Sequence, residues 1–222
     1  MTIRKRKTRN SFPKGLKVGR KQILAGEVVD MNKDMEAQRV KILEGAIKAF
    51  NEKGLKFTMD DLAKVLGMSK KTIYKIYDDK EDMFLAMVDY CFDKIKESEQ
   101  AIINDDSLPT IEKISRILGV LPESYMEIDF RQLFTLKEKY PNTYKHVEER
   151  LESGWEGTIA LINQGIEEGV VRPINVSLFK TMLEATIEQF FQRDILIANG
   201  ISYTQALEDV VGIMVKGIAI RK

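Results

Sequence analysis

Apolar residues recur at helical spacing along most of the chain. Val40, Leu43, Ala46, Ile47 and Phe50 fall three and four apart, which predicts one buried helix face, and Gly54 follows as a stop. Thr58 opens a second segment with Asp61 three residues on, a capping-box pattern, and Leu62, Ala63, Val65 and Leu66 give it an apolar face. Gly67-Met68-Ser69 breaks that segment, and Ser69 is placed to cap a third helix from Lys70 to near Tyr77. Asp79, with Asp82 three residues later, is placed to cap a fourth helix with Met83, Phe84, Met87, Tyr90 and Cys91 inward. Pro109, Pro122, Pro141 and Pro173 divide the remainder into helix-length pieces. These are residues 110–121, 129–140, 142–169, 175–198 and 203–220. The piece 142–169 reads as one long amphipathic helix with Val147, Leu151, Trp155, Ile159, Ile162 and Ile166 inward. Strand-like alternation with turn signals is absent. The fold class predicted is all-α, about eight to ten helices, with a small front unit and a larger helical bundle behind.

Charge sharpens this division. The chain has 222 residues, 35 Lys+Arg and 34 Asp+Glu, a net of +1. Residues 1–21 hold nine bases and no acid, so the other 201 residues carry a net of −8. The front, punctuated by Pro13, Gly15 and Gly19, reads as a disordered basic arm over residues 1–30. Such an arm binds nucleic acid non-specifically, or it is an upstream extension with translation starting at Met31 or Met35; both readings stay open. Residues 31–82 then form the front unit and residues 83–222 the bundle.

Composition removes several function classes. Cys91 is the single cysteine and His146 the single histidine, which excludes an internal disulfide and argues against a metal centre or a His-based triad. His146 sits among Lys145, Glu148 and Glu149 and is expected to be exposed. No nucleophile–base pair or Gly-rich phosphate loop is present, so catalysis, a metal and a cofactor are not expected. No apolar run reaches membrane-spanning length and no secretory signal follows the basic arm, so a soluble, reducing, cytoplasmic setting with no membrane partner is expected.

The chemistry concentrates in residues 58–77. Two short helices joined by a glycine-containing turn make a helix-turn-helix. Ala63 is small where helices cross, and Ile73 and Tyr77, four apart, pack the second helix onto the first. Lys70, Lys71, Thr72, Tyr74 and Lys75 are left exposed. A face so basic on a net negative body calls for an anionic partner. Helix N-termini attract phosphate, Lys and Thr can reach base edges in the major groove, and Tyr donates to phosphate.

Residues 39–88 resemble the DNA-binding domain of the TetR family of bacterial transcriptional regulators. The resemblance is carried by Ile42-Leu43 with Ala46 and Phe50, then Glu52-Lys53-Gly54, Thr58, Leu62-Ala63 and Gly67-Met68-Ser69. It continues through Thr72-Ile73-Tyr74, Tyr77 and Lys80-Glu81. It implies a DNA-contacting set of Thr58, Lys70, Lys71, Thr72, Tyr74, Lys75, Tyr77 and Lys80. In that set Tyr74 and Lys80 are phosphate contacts, and Lys70, Lys71 and Thr72 face the major groove. Many family members carry Gly at the position of Lys71 and His near Lys75-Ile76; the added lysines should raise affinity and salt dependence.

The resemblance further implies a homodimer on a palindromic double-stranded operator, assembled through the last two helices. Those helices are apolar on more than one side, through Leu178, Met182, Ala185, Ile187, Phe190, Phe191, Ile195 and Leu196, and through Tyr203, Leu207, Val210, Val211, Met214, Val215 and Ile218. It implies too a small-molecule effector that releases the protein from DNA, which makes the chain a ligand-responsive repressor. Tyr125, Met126, Phe130, Phe134, Trp155, Met182 and Phe190 are candidate pocket residues, and Arg131, Glu184, Glu188 and Gln189 candidate polar anchors. Core packing and solvated faces account for the same residues. The alternative function is an architectural DNA-binding or protein-interaction protein on the same fold, without a small ligand.

Overall fold

Side-chain caps set the element boundaries at the front of the chain. The computed structural model describes residues 25–122, 125 and 135–220, with side chains described from residue 33 onward. The expected arm, apart from the helical residues 25–30, lies outside the described residues. The chain divides into two units, residues 1–37 and 38–222. In the first, residues 25–37 are helical and the side chains described are exposed.

The second unit holds the fold. Helix α1, Ala25–Lys53, enters it at Gln38 and buries Ile42, Leu43, Ala46, Ile47 and Phe50. A 3-10 turn, Gly54–Lys56, leads to α2, Met59–Leu66, and α3, Lys70–Ile73. Helix α4, Lys80–Ile103, leaves this head and runs into the bundle. The bundle contains α5 (Thr110–Leu118), α6 (Leu136–Lys139), α7 (Pro141–Glu152) and α8 (Glu156–Glu167). It closes with α9 (Val176–Gln192), α10 (Ile195–Ala198) and α11 (Tyr203–Ile218). The only extended pairing among the described residues is one antiparallel bridge between Val171 and Ala219. The all-α architecture expected from the periodicity is therefore the one observed. Among the described residues no helix is long and apolar enough to cross a membrane.

Three features differ from expectation. The single helix expected over 175–198 is two, α9 and α10, parted at Arg193–Asp194, where Arg193 takes an extended backbone. The long helix over 142–169 is two helices, broken at Ser153–Gly154–Trp155. Gly154 takes φ +72°, a left-handed value that disfavours any Cβ, and Lys96 Nζ donates to its carbonyl at 2.8 Å. Uninterrupted apolar spacing across the break hid it. His146, expected in solvent, is half-buried: its Nε2 lies 2.8 Å from Asp89 Oδ1, and Arg150 reaches Asp89 and Asp93 at 3.1 and 2.6 Å. These contacts bind α7 to α4, the helix that emerges from the head.

One core runs through the unit. Phe57, Leu62, Ile73 and Tyr77 in the head are continuous with Phe84, Tyr125 and Tyr144, and then with Ile162, Leu183 and Val211. The last two long helices show the two-sided character expected of them. Ile187, Phe190, Phe191, Leu207 and Val211 turn inward. Leu178, Met182 and Ile213 are 59%, 54% and 73% exposed, and Ala185 is exposed as well.

Candidate nucleic-acid interface and internal cavity

The helix-turn-helix is built from three local devices. Thr58 caps α2: its Oγ1 accepts from Asp61 N at 3.2 Å, and Asp61 Oδ2 accepts from Thr58 N at 2.8 Å, a reciprocal capping box. Lys53 Nζ donates to Asp61 Oδ1 at 2.5 Å and ties the end of α1 to the same carboxylate. Lys53 and the Thr58 donors together hold the Asp61 carboxyl well below the usual carboxylate range. Gly67 ends α2 with φ +62°, and its N–H and the next residue's reach back to Lys64 O and Ala63 O. Ser69 Oγ then accepts from Thr72 N at 3.2 Å to start α3. Backbone bonds continue the turn past Ile73, with Tyr77 N donating to Ile73 O at 3.0 Å.

Ile73 and Tyr77 are buried beneath α3, which fixes the direction of everything else on it. Lys70, Lys71, Tyr74 and Lys75 are exposed together, with Tyr74 47% accessible. Thr72 is half-buried and its hydroxyl sits 2.9 Å from Ser69 Oγ. Lys70 Nζ forms a 2.7 Å ion pair with exposed Asp60, and this hydrogen bond raises its pKa. Thr58 is exposed at the start of α2.

Two residues of the expected DNA set are placed elsewhere. Tyr77 is 1% exposed and belongs to the core, with the Arg39 guanidinium 5.5 Å from its ring centroid, so its side chain has no surface to offer DNA. Lys80 is half-buried and its ammonium turns inward, donating to Leu55 O at 2.9 Å and to Phe57 O. A family motif tells which positions recur, not which way each side chain faces.

Behind the head the bundle encloses a cavity of about 180 Å³. Phe50, Leu55 and Phe84 form its front; Cys91, Tyr125, Val147, Trp155, Leu183 and Phe191 are among its walls. The charged side chains that reach it are paired: Lys96 with Glu99 at 2.9 Å, Arg150 with Asp89 and Asp93. Burial raises the pKa of Glu99, against the pull of Lys96. Burial also pushes the Cys91 thiol up to about 12, the Tyr125 hydroxyl opposing. Thr143 lines the cavity, and its buried Oγ1 has no hydrogen-bond partner among the described groups.

Of the candidate pocket residues, Tyr125 and Trp155 line this space. Met182 does not: it points to solvent on the outer side of α9. Phe190 packs edge-on against Tyr203, centroids 6.2 Å apart, and is not in the lining. Met126, Phe130, Phe134 and Arg131 lie outside the described residues. Glu184 pairs with Lys180 at 3.2 Å. Sequence reasoning missed Phe84, Met87, Thr143 and Val147 as wall residues. Periodic spacing marked Phe84, Met87 and Val147 as inward-facing and gave no signal for Thr143, and only the meeting of α4 and α7 shows that inward leads to a void.

Residues 42–87 match the family model of bacterial regulatory proteins of the tetR family. The chain is 28% identical over 178 residues to an HTH-type transcriptional regulator of Bacillus subtilis, YvaF, spanning 80% of this chain and 94% of that one. It is 26% identical over 147 residues to IcaR of Staphylococcus epidermidis, an HTH-type negative transcriptional regulator of a biofilm operon, spanning 63% and 72%. The fold resembles that of a TetR transcription regulator from Haloarcula marismortui, with TM-score 0.65, 17% identity and coverage of 83% and 100%.

Proposed function

We propose, from the premise that residues 42–87 make this chain a TetR-family DNA-binding regulator of transcription, that it is a homodimeric repressor released from its operator by a small apolar effector. The observation that carries the proposal is the grouping of Lys71, Tyr74 and Lys75 on the exposed side of a helix whose other side is locked into the core. A rigidly seated basic helix of this kind reads base edges and grips phosphates in the major groove. The likeness to IcaR supports repression as the sign of control.

So short a reading helix covers few base pairs, so affinity and specificity call for two copies on a palindrome. The uncovered apolar stripe of Leu178, Met182, Ala185 and Ile213 on α9 and α11 supports the last helices as the joint between copies. The cavity supports an effector. Its walls are apolar and its charges already neutralised, so it favours an uncharged molecule, and the unpaired Thr143 Oγ1 offers that molecule one hydrogen bond. Effector and operator then compete through two arrangements of the dimer.

The test is selection of bound fragments from random DNA by the full-length chain at physiological salt. The reading expects an enriched palindrome, a loss of binding in Lys71→Ala and Tyr74→Ala, and melting temperatures close to wild type in both. Binding without an enriched sequence would favour the architectural alternative, with the basic residues 1–21 as its main contact.

A further inference from the structure

We infer that Lys80 is a positioning residue that sets the DNA-reading helices from inside the protein, and that it touches the front wall of the cavity through the ring of Phe84 and the backbone of Leu55. The inference rests on the DNA-binding reading above but reverses the role that reading first gave Lys80. Its Nζ donates to the carbonyls of Leu55 and Phe57, the last residues before the Thr58 cap of α2. Three rings surround the same ammonium, with centroids at 4.4 Å for Phe57, 5.1 Å for Phe84 and 5.6 Å for Tyr140. Burial pushes its pKa down, and nearby Lys139 adds to that, against the pull of Asp61.

A cation in such a place stays only because carbonyl dipoles and ring faces replace its water. To meet a phosphate it would have to leave both carbonyls and all three rings. The carbonyls it holds belong to the turn between α1 and α2, so the ammonium fixes where α2 begins and thereby where α3 lies. The rings lead the other way. Phe84 and Leu55 line the cavity, and Tyr140 directly precedes α7, whose Thr143 and Val147 line it too. Phe84 and Tyr140 meet edge-on with centroids 4.9 Å apart. A change in the cavity wall therefore reaches the start of α2 through one side chain.

The slope of affinity against salt separates the two roles, because a lost phosphate contact lowers it and a lost internal anchor does not. The full-length chain and its Lys80→Met, Phe84→Leu and Lys71→Ala variants are titrated with the selected DNA fragment over a range of salt. Lys80→Met is expected to weaken binding about tenfold at every salt concentration. Its log–log slope should match wild type, while that of Lys71→Ala falls by about 0.9. Phe84→Leu, at a buried side chain with no surface to offer DNA, should weaken binding in the same slope-preserving way. A slope reduced by Lys80→Met as by Lys71→Ala, or unchanged affinity in Lys80→Met, overturns the inference. If Lys80→Met does not fold, the Phe84→Leu titration decides, and wild-type affinity there overturns it. If the wild-type chain enriches no DNA, the DNA reading itself has failed. The latch is then judged by hydrogen exchange at residues 57–62, which Lys80→Met accelerates if the inference holds and leaves unchanged if it does not.

Discussion

Cys91 shows how much of a residue's chemistry comes from its surroundings. Its thiol faces a cavity wall beside the Tyr125 hydroxyl, and burial pushes its pKa up to about 12. The reactive thiolate is then scarce at neutral pH. Native protein at pH 8 should react with iodoacetamide far more slowly than denatured protein, as read by mass spectrometry; equal rates would show an accessible, ordinary thiol. At this scale the sequence was legible where a residue's role is local. The caps Thr58, Ser69 and Asp79 each bond the backbone three residues on, as their spacing announced. It was not legible where the role depends on orientation. Tyr77 and Lys80 occupy recurrent positions of a DNA-binding motif, yet one is core and the other turns to internal carbonyls. The four-residue step from Ile73 to Tyr77 was the signal that placed Tyr77 in the core.

Helix α2 is held at its start by a carboxylate whose pKa is depressed, and this gives the head a pH dependence of definite sign. Asp61 is charged more readily in the folded head than in the unfolded chain, because Lys53 and the Thr58 donors favour the ionised form. Its contribution is fully present above the ordinary carboxylate range and is lost as pH falls below about 4 toward the lower folded value. Thermal melts should show Asp61→Asn less stable than wild type near neutrality. The gap should close in acid, and a gap that stays constant with pH would remove Asp61 from the account. At this scale α2, α3 and α4 were legible because each has a polar cap and a glycine or an aspartate at its boundary. The break between α7 and α8 was not. Gly154 is a single residue inside a pattern whose apolar spacing continues on both sides, and the lysine that satisfies its carbonyl comes from α4, 58 residues away.

Among the described residues, α9 and α11 present an uncovered apolar face. On α9 Leu178, Met182 and Ala185 step along one side, and on α11 Ile213 is 73% exposed. A face of that kind is covered in a stable regulator, and a charge placed there desolvates at a cost when two copies meet. Ile213→Glu is expected to shift the chain from dimer to monomer in analytical ultracentrifugation at micromolar concentration and to weaken operator binding, with the monomer fold kept. A variant that stays dimeric would move the joint elsewhere. Sequence periodicity showed that both helices are apolar on two sides. Which side belongs to the core followed only from the packing of α9 and α11 against α5, α7 and α8.

Trp155 is the only tryptophan in the chain, and it stands in the cavity wall. Its indole N–H is fixed to Leu151 O at 2.7 Å, and the Lys180 ammonium lies 5.7 Å from its ring centroid. The protein therefore carries a built-in optical gauge of its own interior. Excitation at the long-wavelength edge of the ultraviolet band, beyond the absorption of the chain's seven tyrosines, reports from that wall alone, so the emission wavelength and intensity register the arrival of a guest. Candidate compounds can thus be ranked by fluorescence titration before any operator is in hand.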